Sequence, residues 1–520
     1  MTPPARAETL GEAIRQGTTE HAGCHLIVDS DERPHRGTLG ELGAEGLEVA
    51  AWLQSLGVGR GDVVALQLPN WWEGAVFQAA AALAGAVILP IVPVYGAREV
   101  SFILRESRAK VFALPSGFRG RAFAGMLDDL GDLPDLVATV VVGDEVPDGS
   151  VSWTAAHLDP ATYQAPVVSP DDLTLLVYTS GTTADPKGVQ HTHRSLLAET
   201  WSPVVMAGTG PGSSHLSVFP SGHVAAVNGL LRILVLGSPT VLMDAWGADR
   251  AAQLIDDYQV TVTAGAPVHL AGFLDARERG EIRLTSLREY LVGGASVPPA
   301  LVERADAAGI VAYRAYGLSE HPTISGSTAS DPLVKRAHTD GRVQPGNEVR
   351  ILDDDGNVLG RDQDGEIVSR GSELFAGYRD SGLDETSFTD DGWFRTGDIG
   401  RLDADGYLTI TDRKKDIIVR GGENFSSKEI EDVLGSHARV AEVAAVGAPD
   451  ERYGERVAVF VVLREGTDLS LDEIGEHFRA AGVARQKTPE VVRVVEVLPR
   501  TPAGKIQKVP LRTMLIESLS

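Results

Sequence analysis

The sequence predicts an α/β fold with a large amino-terminal domain of doubly wound sheets, a small β subdomain and a small α+β domain at the carboxyl end. Helical apolar spacing alternates with short apolar strands as far as Tyr313. Short, turn-rich segments follow from about residue 340, and helices alternate with strands again after Arg413. Strands that alternate with helices are typical of parallel sheets covered by helices on both faces.

The predicted large domain begins with a helix whose leucines and alanines keep helical spacing from residue 39 to residue 56. Gly57 follows as a C-cap. The next predicted elements are a strand at 63–66, a helix at 73–83, and strands at 87–91, 111–114, 137–142, 216–219, 240–242, 290–292 and 311–313.

The remaining segments predict a β subdomain and a separate compact unit. A unit of about 100 residues has the size of an independent domain. The subdomain strands are expected at 349–352, 366–369 and 407–410, and the last unit has helices at 428–434 and 471–481 with strands at 440–446, 457–463 and 491–497.

Charge and composition restrict the classes of partner. Lys and Arg number 47 against 72 Asp and Glu, which gives a formal net charge of -25. Such a chain repels nucleic-acid backbones and anionic lipid heads, so nucleic acid and membrane surfaces are poor partners. Hydrophobic residues make up 43% and charged residues 23% of the chain, as expected of a folded globular protein.

Cysteine usage and the apolar runs indicate a cytoplasmic protein without a membrane span. Cys24 is the single cysteine, so neither an intramolecular disulfide nor a cysteine-based zinc site is supported. The first twenty residues lack the apolar core of a signal peptide. The longest apolar run, residues 79–94, is interrupted by glycine and proline and is shorter than the roughly 20 residues that a span requires.

Residues 178–189 form a loop rich in hydroxyl groups and glycine, between a strand-like segment and the start of a helix. Ser180, Thr182 and Thr183 offer hydroxyl donors, Gly181 lets backbone N–H groups turn toward an anion, and Lys187 adds a positive charge. These groups suit a polyphosphate, although an ordinary surface turn has a similar composition. A Walker-type loop is excluded, because Gly and Val follow the lysine instead of Ser or Thr.

A second motif, Tyr316 to Glu320, follows a predicted strand. Tyr316 can stack on a base, Gly317 lets a ligand approach the backbone, and Glu320 can hold Mg²⁺. The alternative is a strand terminus with a solvated carboxylate. Gly293 and Gly294 end another predicted strand, where a planar base can lie on bare backbone or a simple turn can occur.

Asp398 and Arg413 lie on either side of a predicted hairpin turn at Asp405 and Gly406. A carboxylate accepts from both hydroxyls of a ribose, and an arginine can reach the same sugar or its phosphate. The alternative is a surface network of salt bridges. Lys505 lies in a loop framed by proline and glycine near the carboxyl end, where most lysines are merely solvated.

Together, in this order, the motifs resemble those of the superfamily of adenylate-forming enzymes, which includes acyl-CoA synthetases, peptide-synthetase adenylation domains and beetle luciferases. The resemblance covers nearly the whole chain. Two residues depart from the family pattern: Ala184 stands where the family usually has glycine, and Ser319 replaces a threonine. An alanine at positive φ costs roughly 1 kcal/mol more than glycine, so the flexibility of this loop is expected to differ from that of the family.

The resemblance implies roles for individual residues. Lys505, Glu320 and Lys187 are the implied catalytic residues, with Thr179 and Glu320 at Mg²⁺. His223, Gly293 and Gly317 are the implied acyl pocket, although His223 can equally be a satisfied core histidine. The implied contacts to ATP or CoA are Thr179, Ser180, Gly181, Thr182, Thr183, Lys187, Gly294, Ala295, Ser296, Tyr316, Gly317, Ser319, Asp398, Arg413, Gly421, Gly422 and Glu423.

The resemblance also implies a division into domains. Residues 1–411 would be the AMP-binding domain, 412–416 a hinge with Lys415 as its pivot, and 417–520 a mobile catalytic domain. Gly421, Gly422 and Glu423 would line the tunnel for the pantetheine arm of CoA after domain rotation.

The implied function is activation of a small carboxylic acid by MgATP to an acyl-adenylate, followed by transfer to CoA, as in an acyl-CoA synthetase. One alternative is an adenylating enzyme that loads a carrier protein. Another is a nucleotide-binding regulatory protein with lapsed catalysis.

The substrate is expected to be an uncharged aliphatic, alicyclic or aromatic acid. Residues 216–236 are largely apolar, and no acidic residue stands between Thr209 and Leu242 to pair with an α-amino group. His191 and His193 are assigned no function, because two histidines without a third ligand nearby are weak evidence of a metal site.

Overall fold

The computed structural model describes residues 7–179, 186–202, 212–280, 282–420, 423–450, 453–501 and 504–519. Its helices are α1 (Leu10–Glu20), α2 (Leu39–Ser55), α3 (Trp72–Leu83), α4 (Ala97–Ser107), α5 (His193–Thr200), α6 (Val224–Leu236), α7 (Ala248–Asp257), α8 (Pro267–Glu278), α9 (Pro299–Ala307), α10 (Leu333–His338), α11 (Asp384–Ser387), α12 (Ser427–Gly435), α13 (Leu471–Ala480) and α14 (Lys508–Leu519).

The strands are numbered in chain order. They are β1 (His25–Asp29), β2 (His35–Thr38), β3 (Val63–Leu66), β4 (Val87–Pro90), β5 (Ala109–Pro115), β6 (Gly117–Phe118), β7 (Arg121–Ala122), β8 (Ala138–Val142), β9 (Val151–Ser152), β10 (Leu173–Thr179), β11 (Lys187–Thr192), β12 (His215–Ser217), β13 (Thr240–Met243), β14 (Val262–Gly265), β15 (Glu289–Val292), β16 (Val311–Tyr316), β17 (Ser325–Gly326), β18 (Arg342–Val343), β19 (Asn347–Leu352), β20 (Gly365–Gly371), β21 (Phe394–Leu402), β22 (Leu408–Arg413), β23 (Ile418–Arg420), β24 (Glu423–Phe425), β25 (Val440–Asp450), β26 (Gly454–Leu463) and β27 (Val491–Val494).

Two mostly parallel sheets form the large domain. One runs β11-β10-β4-β3-β5-β8-β9, and the other runs β18-β17-β16-β15-β14-β12-β13-β1-β2. Helix α3 has every residue buried, and β3 and β4 are buried along their whole length. This near-continuous burial is expected of a parallel sheet covered on both faces, and it explains why residues 79–94 are apolar without interruption by charge.

A four-stranded antiparallel sheet, β19-β20-β21-β22, forms the β subdomain. In this sheet β21 and β22 form a hairpin whose turn contains Gly406 at φ +83°. Asp398 and Arg413 are paired residues across these two strands. The hairpin predicted from Asp405 and Gly406 therefore brings Asp398, in the middle of β21, beside Arg413 at the end of β22, next to the start of the last domain.

The carboxyl-terminal unit has a sheet ordered β24-β23-β26-β25, with β27 beside β26. Its helix α12 begins at Ser427, whose N–H donates to Asp412 Oδ2 at 2.5 Å while its hydroxyl donates to Asp412 Oδ1 at 3.0 Å. Arg512 of α14 donates to Asp416 Oδ1 at 2.9 Å and to the carbonyl of Lys415 at 3.2 Å. These contacts attach both ends of the unit to the segment 412–416.

The fold class predicted from the sequence is confirmed, and the predicted helices and strands are present with shifts of a few residues at their ends. The prediction did not include α1 or the β1–β2 pair, which extends the larger sheet at its edge. Over the part of the chain that the structure describes, no helix combines the length and the apolar character needed to cross a bilayer.

Candidate active site

The site begins where neighbouring parallel strands end. Strand β16 ends at Tyr316, and β15 beside it ends at Val292, directly before Gly293 and Gly294. Because the carboxyl ends of parallel strands meet at one edge of the sheet, the two motifs lie side by side. Ligands of open α/β sheets bind outside this edge.

A cavity of about 170 Å³ opens at this edge. Helix α6 forms one wall, and residues of β12, β14 and β16 form the opposite wall. Its lining includes Phe219, His223, Asn228, Arg232, Gly293, Gly294, Tyr316, Gly317, Ser319 and, from the carboxyl-terminal unit, Lys505. Both domains therefore contribute to one enclosed space.

At one side of the cavity Asp398 is held between two partners. The hydroxyl of Tyr316 donates to Asp398 Oδ2 at 2.7 Å, and Arg413 Nε lies 3.1 Å from Oδ1. Asp398 is 3% exposed, so this carboxylate is fixed and mostly shielded from water. Its charge raises the pKa of Arg413, while burial, followed by this same charge, raises the pKa of Tyr316. The geometry presents a fixed acceptor beside an aromatic ring.

A second carboxylate, Glu320, accepts a hydrogen bond from the hydroxyl of Tyr378 at 2.7 Å. Lys187 Nζ lies 5.3 Å from the centroid of the Tyr378 ring, a cation–π arrangement. Lys187 is also the antiparallel partner of Thr179 at the ends of β10 and β11. The structure thus links Thr179, Lys187 and Glu320, which the sequence predicts to lie near phosphate and metal, through a tyrosine that the prediction did not include.

Lys505 brings a positive charge into the cavity. Burial, together with the charge of Arg413, lowers its pKa to about 8. Asp398 and Glu320 act in the opposite direction and favour its charged form. The proximity of both carboxylates favours a site residue over the alternative of a merely solvated surface lysine, and its role stays a prediction.

His223 combines the two roles that the sequence leaves open. It is the N-cap of α6, where its Nδ1 accepts from the N–H of Ala225 at 3.2 Å. Its ring also lines the cavity and stacks on Phe219 with a centroid distance of 5.4 Å. Burial and the charge of Lys505 lower its pKa to about 3. The ring is therefore neutral at physiological pH, and since Nδ1 accepts, Nε2 carries the proton as a donor.

Gly294 and Gly317 of the site are glycines for different physical reasons. Gly294 has φ +77° and open space where a Cβ would lie, which suits contact with a flat ligand. At Gly317 a Cβ would lie 1.8 Å from the carbonyl oxygen of Pro322, so packing of the protein's own backbone also requires glycine there. Gly317 also lines the cavity, so its expected role in ligand approach stays a prediction. Ala295 and Ser296 follow Gly294 but do not line the cavity.

His191 contacts the backbone of the Tyr316 to Glu320 motif and stabilises it. Its Nε2 lies 2.8 Å from the carbonyl oxygen of Ser319, and its Nδ1 lies 3.1 Å from the hydroxyl of Ser195. His193 instead accepts from the N–H of Leu10 at 3.1 Å. The two histidines contact different partners and have structural roles.

Some predicted site residues lie outside the described residues: Ser180, Gly181, Thr182, Thr183, Ala184, Gly421 and Gly422. Glu423 is exposed on β24 and does not line the cavity. Lys415 is close enough to Arg413 for that charge, after burial, to lower its pKa.

Four residues of the site were missed by the sequence analysis: Tyr378, Glu199, Asn228 and Arg232. Glu199, Asn228 and Arg232 line the cavity at its far end. No acidic residue stands between Thr209 and Leu242, but the cavity lining does include one acid, Glu199 of α5, which lies outside that segment. Arg232 stands within 216–236 itself, where it is half-buried and its charge is the signal that the apolar pattern obscured.

The residues present fit a nucleotide with Mg²⁺. Within the described residues no group of three His, Cys, Asp or Glu side chains forms a metal cage. Mg²⁺ in nucleotide sites commonly uses one or two carboxylates together with phosphate oxygens, and Glu320 provides one such carboxylate. Asp398 and Tyr316 offer an acceptor and an aromatic ring for a nucleoside.

Comparison with known proteins identifies the family. The family described as "AMP-binding enzyme" matches residues 18–379, and "AMP-binding enzyme C-terminal domain" matches residues 429–505. The chain belongs to the AMP-binding enzyme family within the adenylate-forming superfamily. It is an ATP-dependent acyl-CoA synthetase, an acid–thiol ligase that uses ATP, Mg²⁺ and CoA.

Similar proteins span nearly the whole chain. A medium-chain fatty-acid–CoA ligase of Escherichia coli strain K12 is 34% identical over 91% of this chain and 84% of its own length. A long-chain-fatty-acid–CoA ligase of Mycobacterium tuberculosis is 34% identical over 97% of this chain and 98% of its own. The crystal structure of ATP-bound MatB from Rhodopseudomonas palustris superposes with a TM-score of 0.85 at 25% identity, covering 98% of this chain and all of MatB.

Proposed function

We propose that the cavity beneath Lys505 is where a carboxylic acid is converted to its adenylate. An oxygen of the acid attacks the α-phosphorus of ATP, and the bond from that phosphorus to the bridging oxygen breaks, releasing pyrophosphate. The observation that carries this proposal is the position of Lys505, which shares the cavity with His223 and is coupled to Asp398 and Glu320. A positive charge there stabilises the negative charge that concentrates between the carboxylate and the α-phosphate.

The other residues position the reactants. Asp398 accepts from the ribose hydroxyls, with Tyr316 and Arg413 fixing its orientation. Glu320, oriented by Tyr378, would hold Mg²⁺, which when bound would neutralise charge on the phosphates. The neutral His223 donates from Nε2 toward the carboxylate end of the acid. Such catalysis depends on positioning and charge more than on covalent catalysis by the protein.

In the second step the sulfur of CoA attacks the acyl carbon, AMP leaves with the electrons of the acyl–oxygen bond, and the thiol proton is released. Exchange of labelled pyrophosphate into ATP, measured with a panel of acids, tests the first step. Consumption of CoA, measured with the best acid, tests the second. Exchange without CoA consumption would favour a carrier protein as the acceptor, and absence of exchange with every acid would contradict the proposal.

The substrate is proposed to be an acid without an α-amino group. The carboxylate end of the cavity is lined by Phe219, the neutral His223 and the cationic Lys505, and a buried ammonium there would face Lys505 without an acidic residue in the lining beside it, at a cost of several kcal/mol. Pyrophosphate exchange is expected with aliphatic, alicyclic or aromatic acids. If amino acids alone support exchange, this assignment is wrong. The cytoplasmic location expected from the sequence stays a prediction.

We also propose that the two steps use two orientations of the unit 417–520, rotated about 412–416. The unit is attached at this segment by Asp412 and Arg512, and Lys505 and the segment around Gly421 belong to the same unit. Lys415→Pro restricts φ at the pivot and is expected to slow CoA transfer more than adenylation. Single-turnover rates of each step measure this, with Lys414→Ala as the neighbouring control. Equal loss in both steps by a folded variant would argue against rotation.

The lowered pKa of Lys505 predicts a pH dependence of adenylation. The lysine is charged below about pH 8 and loses its proton as the pH rises through that value. Because the charged form stabilises the transition state, kcat/KM for adenylation should fall above about pH 8. Lys505→Arg keeps its charge at all these pH values and should abolish the fall. A profile that is the same in both proteins would assign the inflection to another group.

A further inference from the structure

The far end of the cavity is polar. His223 caps the start of α6, and Asn228 and Arg232 lie about 8 and 14 Å further along the helix axis at the ordinary rise per residue. Glu199 from α5 and His215 from β12 line the same end. The cavity therefore runs from the reacting carboxylate to a cluster of buried polar side chains.

Three of these side chains have a polar atom without a partner in the protein. Glu199 Oε2, Asn228 Oδ1 and His215 Nε2 are each buried and make no hydrogen bond, while the three residues are only 4%, 6% and 8% exposed. All three line the cavity. An unpartnered buried polar atom is costly, so three around one cavity indicate a ligand group that satisfies them.

The rest of the cluster holds these atoms in place. Thr323 Oγ1 and Asn228 Nδ2 both donate to Glu199 Oε1, at 2.8 and 3.3 Å. The neighbouring Glu373 has its pKa raised to about 10 by burial and by the charge of Glu199. Glu373 therefore keeps its proton at neutral pH and leaves the pair with at most one negative charge.

Charge decides which ligand group fits. The positive charge of Arg232 is coupled to Glu199, so the end of the cavity is close to neutral overall. His215 adds no charge, because burial and Arg232 lower its pKa to about 3. An ammonium would face Arg232, a carboxylate would face the oxygens of Glu199 and Asn228, and an alkyl end would leave all three atoms unpaired. A hydroxyl group donates to one oxygen and accepts from a remaining donor.

We propose that the acid substrate carries a hydroxyl group at the end remote from its carboxylate, which donates its proton to Asn228 Oδ1 and lies beside Glu199 and His215. The assignment rests on the proposed function, because it assumes that the acid is activated at the opposite end of the same cavity. The substrate class is accordingly an alcohol- or phenol-bearing carboxylic acid.

The test compares acids in matched sets: a straight-chain acid with its ω-hydroxy and ω-carboxy derivatives, and cinnamic acid with its para-hydroxy derivative. Dissociation constants are measured by calorimetry in the presence of AMP and Mg²⁺, and kcat/KM by pyrophosphate exchange. At least one hydroxy acid should bind about tenfold or more tightly than its unsubstituted partner, because a site built to bond a hydroxyl rejects the analogue without it. Equal binding within every set, or preference for the ω-carboxy acid, would overturn the proposal.

Two variants test whether the preference for the hydroxy acid arises at this end of the cavity. Asn228→Leu should reduce the preference for the hydroxy acid to about twofold or less. Gln78→Leu is the matched control, since Gln78 is also a buried amide with an unpartnered oxygen but lies in α3 outside the cavity. A preference that survives Asn228→Leu, or disappears equally in Gln78→Leu, would contradict this site. Binding preference without pyrophosphate exchange would overturn the proposed activation chemistry and leave the hydroxyl site supported.

Discussion

Lys505→Ala is expected to slow adenylate formation by about 10² to 10³-fold while leaving thioester formation from supplied acyl-adenylate within about tenfold of normal. The physical reason is that the positive charge of Lys505 lies beside Asp398, Glu320 and His223, where charge develops only while the acyl–phosphate bond forms. Single-turnover assays of each half-reaction measure the difference.

Lys508 offers a control for this variant, because it lies nearby in sequence but pairs with Glu431 at 2.8 Å inside the carboxyl-terminal unit. Lys508→Ala should affect stability rather than one half-reaction selectively. Circular dichroism checks that both variants are folded. Adenylation close to normal in Lys505→Ala would withdraw the catalytic assignment.

Asp398→Asn is expected to lower kcat/KM for ATP by about tenfold to 100-fold, chiefly through a higher KM. The change keeps the size of the side chain, so Tyr316 can still donate to it, but it replaces charge-assisted hydrogen bonds to the ribose by neutral ones of roughly half the strength. It also leaves Arg413 without its carboxylate partner. Initial rates at varied ATP and saturating acid provide the measurement.

Asp364→Asn is a suitable comparison, since Asp364 pairs with Arg401 at 3.2 Å on the same sheet but in an exposed position. The KM for ATP should remain near the normal value in this protein. An unchanged KM in Asp398→Asn as well would mean that Asp398 only anchors Tyr316 and Arg413.

The parts of the site that the sequence predicted are those at the ends of strands. Tyr316 and Gly294 follow short apolar runs, and parallel pairing of β15 and β16 places such ends together whatever the details of packing. Asp398 and Arg413 were predicted to share a hairpin because a turn sequence lies between them. Local pattern and simple topology are sufficient for these residues.

The far end of the cavity could not be predicted in this way. Glu199 hydrogen-bonds to Thr323, and Glu373 meets Glu199 through tertiary packing of segments more than 100 residues apart in the sequence. Arg232 occurs in a helix whose other positions are mostly apolar, so hydrophobic periodicity describes the helix correctly and conceals the charge. Tyr378 likewise lies in a loop with no charged motif to mark it.

Strand β22 ends with two adjacent residues that contact different partners. Arg413 pairs with the carboxylate proposed to bind the ribose, and Asp412 bonds to Ser427 at the first turn of α12. Because Arg413 and Asp412 are adjacent in the chain, the proposed nucleotide site and the anchor of α12 share the end of one strand. Thermodynamic linkage is reciprocal. If ATP or AMP favours one orientation of the carboxyl-terminal unit, that orientation binds the same nucleotide more tightly than the other orientation does.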